Sequence, residues 1–193
     1  MIHTVSGKVI AKKEGFIVVE VGASLGGVGL KINSNKSTID SFKLGDKASF
    51  FTFLYVRETD LELFGFEDEK TLKLFEMLTS VSGIGPKTAL GVLDTDETNK
   101  IIAAIVEKRP DFLTKASGIG KKTAERVILE LHSKLSLPGA GSITEAMDTD
   151  SDVEEALVGL GYKRHHVKQA ISKLGQEPKD LEGRLKEALK NLS

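Results

Sequence analysis

Apolar positions change their spacing along this chain, and each change predicts a different kind of element. Up to Phe66 they come in short runs rich in Val, Ile and Phe: "GFIVVEV" (15–21), "VGLKI" (28–32) and "KASFFTFLYV" (47–56), divided by Gly, Asn, Ser and Asp. "LELFGF" (61–66) alternates apolar and polar. Such runs predict strands. Five short strands with glycine-bearing turns predict a small closed barrel over residues 1–66, of the OB-fold type or SH3-like.

From 67 to 135 the period is helical. Leu72, Phe75 and Leu78 share one face, Ile101, Ile102, Ile105 and Val106 form another, and that stretch stops before Pro110. Ala124, Val127, Ile128, Leu131 and Leu135 recur as the stripe of an amphipathic helix. In residues 136–151, "SLPGAGSITEAMDTDS", the periodicity stops, and Pro, Gly, Ser and acidic residues predict a flexible linker. It returns over 152–193, where three short helices are expected, the first ending at Gly161 as a C-terminal cap. The chain therefore reads as an α+β protein of several domains.

Inside the helical stretch one motif occurs twice. "LTSVSGIGPKTA" (78–89) and "LTKASGIGKKTA" (113–124) align at a constant offset of 35 residues. In each, a helix ends, Gly-Ile-Gly makes a tight turn and a new helix begins. Glycine permits a positive φ and lets another backbone come close. The N–H groups of such a turn, followed by those of the next helix's first turn, form a concave anion site, and the helix dipole favours negative charge there. Gly83 and Gly85 of the first copy are followed by Lys87; Gly118 and Gly120 of the second by Lys121, Lys122 and Arg126. A phosphate of a nucleic-acid backbone suits such a site with no base being read, and two copies hold two. One copy alone could be only a helix–helix turn. Neither copy completes the G-x-x-x-x-G-K-[ST] pattern of a nucleotide-binding loop, so no ATPase is expected.

Composition adds mainly exclusions. The 193 residues carry a formal charge of −1, so nucleic-acid binding has to come from local patches or backbone groups. There is no cysteine, hence no disulfide or thiolate metal site. No apolar run is long enough for a membrane span, and the first residues have no apolar core of a signal peptide. The adjacent His165 and His166 point about 100° apart on a helix and make a poor metal pair. Glu58 and Asp60 are not expected to form a Mg²⁺ nuclease centre. No metal and no cofactor are expected.

The two glycine turns resemble helix-hairpin-helix motifs, and nearly the whole chain resembles the RuvA family, the Holliday-junction-binding subunits of the bacterial branch-migration machine. The resemblance is carried by "GGVGLKI" (26–32), "VRETDLELFGF" (56–66), "LFEMLTSVSGIGPKTAL" (74–90), "ASGIGKKTAERVILEL" (116–131) and "EEALVGLGY" (154–162). It implies an OB-fold domain, a tandem helix-hairpin-helix domain, a linker and a mobile three-helix domain. It also implies a non-enzymatic bacterial cytoplasmic protein that binds four-way junction DNA as a homotetramer, with an octamer on DNA and a RuvC resolvase partner left open. Glu58 and Asp60 then correspond to the family's acidic pin, which keeps duplex from crossing the junction centre by repelling phosphates. Many relatives have adjacent acids there, whereas Thr59 separates them in this chain. Arg57 beside the pin becomes a DNA contact. Leu157, Leu160 and Tyr162 become the surface that docks the RuvB ATPase, or else core of a small bundle. Two other readings compete: a helix-hairpin-helix module of a repair nuclease or ligase complex, and an OB-fold single-strand binder displaying Phe50, Phe51 and Phe53.

Overall fold

A computed structural model describes residues 2–22, 26–174 and 180–192. Strands β1 (Thr4–Lys13), β2 (Phe16–Val21), β3 (Val28–Asn33), β4 (Lys47–Val56) and β5 (Leu61–Phe66) close a barrel in the order β1-β2-β3-β5-β4, with helix α1 (Lys36–Ser41) between β3 and β4. All pairings are antiparallel except β3 with β5. This is the order of an OB-fold, and the SH3-like alternative is set aside. Side chains alternate across the strands, so Val5, Val9, Ile17, Val19, Ile32, Ala48, Phe50 and Leu63 fill the interior. Gly65 faces inward as well: a Cβ there would lie 2.5 Å from Ile32 Cγ2.

The opposite face of β4 and β5 is aromatic, and it joins the barrel to the helices. Phe75 of α2 (Glu69–Ser80) is fully buried. Its ring centroid lies 5.8 Å from that of Phe53, 5.1 Å from Phe64 and 5.0 Å from Phe66. Asp68 caps α2, its carboxylate accepting from Thr71 N–H at 2.8 Å. The helical region continues with α3 (Pro86–Leu93), α4 (Thr98–Val106), α5 (Pro110–Leu113) and α6 (Lys121–Leu131). Asp94, just past α3, reaches back to the barrel and accepts from Lys36 N–H, the first residue of α1, at 2.5 Å. Residues 1–136 accordingly form one compact unit, in which the barrel expected over 1–66 and the helices expected over 67–135 pack together. Phe50 is barrel core and Phe53 packs on Phe75, so neither offers a stacking face to single-stranded nucleic acid.

The second unit, residues 137–193, corrects the expected linker. Helix α7 runs from Ala140 to Gly159, so most of 136–151 is helical, not irregular. Gly, Ser, Thr and Asp are weak helix formers, and tertiary interactions override that weakness. Ala140, Thr144 and Met147 are buried at helical spacing. Arg184, buried on α9 (Leu181–Leu192), donates from Nε to Asp150 of α7 at 2.6 Å. With α8 (Arg164–Ile171), these helices enclose Val153, Leu157, Val167 and Ala188. Helix α7 ends as expected: Gly161 has φ 95°, and Tyr162 N–H and Gly161 N–H reach back to Leu157 O and Val158 O.

Candidate nucleic-acid interface

The two Gly-Ile-Gly turns have the same backbone. In each a four-residue turn closes, Ile84 N–H to Val81 O at 3.0 Å and Ile119 N–H to Ala116 O at 3.2 Å. Gly83 and Gly118 occupy its third position with φ 93° and 84°, a region that a side chain disfavours. Ile84 and Ile119 are buried and anchor the turns. Gly85 and Gly120 then become the N-caps of α3 and α6, with φ/ψ of −91°/171° and −87°/170°, and neither helix start has a side-chain cap. The amides of Lys87 and Thr88, and those of Lys121, Lys122 and Thr123, therefore point out of helix starts with no capping side chain. A Cβ on Gly85 or Gly120 would meet nothing within 4 Å, so space lies open over both starts. Lys87, Lys121 and Lys122 are exposed beside them. The copies are unequal in donors, because Pro86 stands where the second copy has Lys121.

The turns also contact each other reciprocally. Arg126 of α6 donates from Nη1 to Ser82 O in the first turn at 3.0 Å. Gly91 of α3, its counterpart 35 residues earlier, lies with its Cβ position 3.7 Å from Ser117 O in the second turn. Arg126 and its counterpart position Gly91 stand in the same relation to opposite turns, as an approximate two-fold relation between the hairpins requires. Arg126 thus spends one of its donors tying the hairpins together, a role that the sequence reading, which treats it as a DNA contact alone, does not include.

The acidic turn sits between β4 and β5. Arg57 N–H donates to Asp60 O at 2.9 Å, leaving Glu58 and Thr59 as the two-residue tip. Thr59 Oγ1 donates to the Asp60 carboxylate at 3.1 Å, so the residue that departs from the adjacent-acid pattern orients its neighbour. Glu58 and Asp60 are exposed. The Arg57 guanidinium lies over the Tyr55 ring, 4.8 Å from its centroid, and donates to the Tyr55 hydroxyl from Nε and Nη2 at 2.9 and 2.7 Å. It is held on the outer face of the hairpin, away from the tip.

In the second unit the three expected docking residues separate. Leu157 is fully buried in the bundle core, the alternative left open for it, so its assignment to a docking surface is corrected. Leu160 and Tyr162 flank the capping Gly161 and are 67% and 41% exposed. Their different fate follows from the helix end, since residues past the last turn leave the buried stripe. Among the described residues no group of three metal-ligating side chains occurs, and no helix is long and apolar enough to cross a membrane.

Comparison with known proteins covers the same three regions. Residues 1–65 match the RuvA N terminal domain, 75–133 the SAM-like helix-hairpin-helix tandem, and 149–193 the RuvA C-terminal domain. The chain is 36% identical over 204 residues to the Holliday junction branch migration complex subunit RuvA of Acetivibrio thermocellus, covering 100% of this chain and 99% of that protein. The chain belongs to the RuvA family. The RuvA subunit of Acholeplasma laidlawii is 43% identical over 148 residues, 77% of this chain and 78% of that protein. The Thermotoga maritima RuvA subunit is 34% identical over 193 residues, covering 100% of this chain and 99% of its own length. The family's N-terminal model ends one residue before β5 does, at the seam that Phe75 covers.

Proposed function

We propose that the chain binds four-way (Holliday) DNA junctions by structure and not by sequence. It holds them open and serves as the non-catalytic subunit of a branch-migration complex in recombination and repair. One observation carries this: two turns of the same backbone geometry, each opening an uncapped helix start beside exposed lysines. Such sites take phosphates and read no base. The acidic hairpin complements them, because carboxylates close to phosphates cost binding and steer strands apart. The subunit assembles as a homotetramer around the junction, with an octamer on DNA as its doubled form. A RuvB ATPase supplies the motor, a RuvC resolvase shares the junction, and Leu160 with Tyr162 forms the apolar contact for RuvB.

The test is a gel-shift comparison of a four-way junction with linear duplex of equal length. The junction is expected to bind far more tightly, with little change when its arm sequences are exchanged. Equal affinity for both would overturn the reading.

A further inference from the structure

The β4–β5 hairpin is longer than the barrel it belongs to. Leu54 pairs with Leu63, and both face the interior. The next pair on that same face, Val56 with Leu61, lies beyond the barrel, 63% and 73% exposed. The alternation of the strands continues while the core under it has ended. The result is a small apolar face directly beneath the acidic tip of Glu58 and Asp60, with Arg57 held on the opposite face by Tyr55.

We propose that Val56 and Leu61 form an apolar wedge that packs against the exposed face of a base pair at the branch point. This rests on the proposed function above. Charge complementarity selects the occupant: the carboxylates next to the pair repel the phosphate backbone, so the part of a DNA ligand that fits beneath them is the uncharged base. Bases next to a branch point lack a stacking neighbour on one side, and inserted leucines are known wedges between base steps. A second copy of the chain is a poorer occupant, because one cross-strand pair is a small part of the ~800 Å² that each partner buries in a stable interface.

The experiment uses the full chain and a four-way junction carrying 2-aminopurine at the branch point. Binding of the wild-type chain is expected to raise its fluorescence through unstacking. Val56→Thr with Leu61→Thr removes apolar surface while placing β-branched, strand-compatible residues at both exposed positions. This variant is expected to lower that rise at least ~3-fold while changing junction affinity less than ~3-fold, since phosphate contacts dominate affinity. A variant with the full wild-type signal overturns the wedge and leaves the proposed function standing. A variant that sediments as a smaller species than wild type also overturns it, assigning the face to a second copy. If the wild type itself does not prefer the junction over duplex, the function reading falls and the wedge with it.

Discussion

At single residues the two glycines of each turn do different work. Gly118 needs its missing side chain for its own backbone, because φ is 84°. Gly118→Ala is expected to cost about 1–3 kcal/mol of stability, read by denaturant unfolding. Gly120 has an ordinary φ of −87° and open space at its Cβ position. Gly120→Val should therefore leave the fold intact by circular dichroism, at a cost of about 1 kcal/mol for the poorer N-cap. It should still weaken junction binding about tenfold or more, since branched methyls would stand where a phosphate meets the amides. A folded Gly120→Val chain with wild-type affinity would refute the backbone nest. Lys108, past the end of α4, holds φ 55° without being glycine. Lys108→Gly is expected to raise stability by about 0.5–1 kcal/mol, in thermal unfolding, by removing that strain.

At the scale of elements, the joint between barrel and helices is the feature to probe. Phe75→Ala should cost about 3–5 kcal/mol, because a fully buried ring against three others leaves a cavity. Asp94 is partly buried at the same joint. That burial holds its carboxyl above the ordinary carboxylate range, opposed by the Lys36 N–H it accepts from. A raised folded pKa means that this group favours folding most below its unfolded pKa, and that the gain is lost as pH rises through the folded value. Asp94→Asn keeps an acceptor for α1 and removes that dependence. Relative to wild type, the variant should therefore gain stability between pH 3 and pH 7, read from paired urea titrations.

Elements differ in how plainly they were written in the chain. Strand and helix faces were legible wherever burial was apolar and periodic, as at Phe75 or Val127. The constant spacing of the two turns exposed the site before any geometry was known. The first half of α7 was illegible because its buried positions are a small alanine, a threonine and one methionine, followed by an Arg184–Asp150 ion pair, too sparse a set to read as an apolar stripe. The joint was illegible for another reason: Asp94 and Lys36 are 58 residues apart, and no local pattern links them.

At the scale of the whole molecule, the proposed phosphate-binding groups all lie in the first unit. A chain ending at Leu137 should bind four-way junctions as the full chain does, with the same slope of affinity against salt, in titrations across salt concentration. It should fail to support branch migration with a RuvB motor. Leu160→Asp in the full chain should reproduce that failure with its fold intact by nuclear magnetic resonance, because Leu160 is exposed. Leu157→Asp should unfold the small bundle instead, by several kcal/mol of buried unpaired charge.

The approximate dyad between the hairpins has a further consequence. The two backbones of a duplex run in opposite directions and are themselves related by two-fold axes across the helix. A gripping pair with the same symmetry presents equivalent sites to both strands, so an arm looks alike whichever strand runs 5′ to 3′ past Gly85. Ser80 against Lys115, Pro86 against Lys121 and Gly91 against Arg126 mark one side from the other. Such a grip has little polarity of its own. Under the proposed function, an arm threads through such a grip either way, and the direction of travel is imposed by whatever pulls on the DNA.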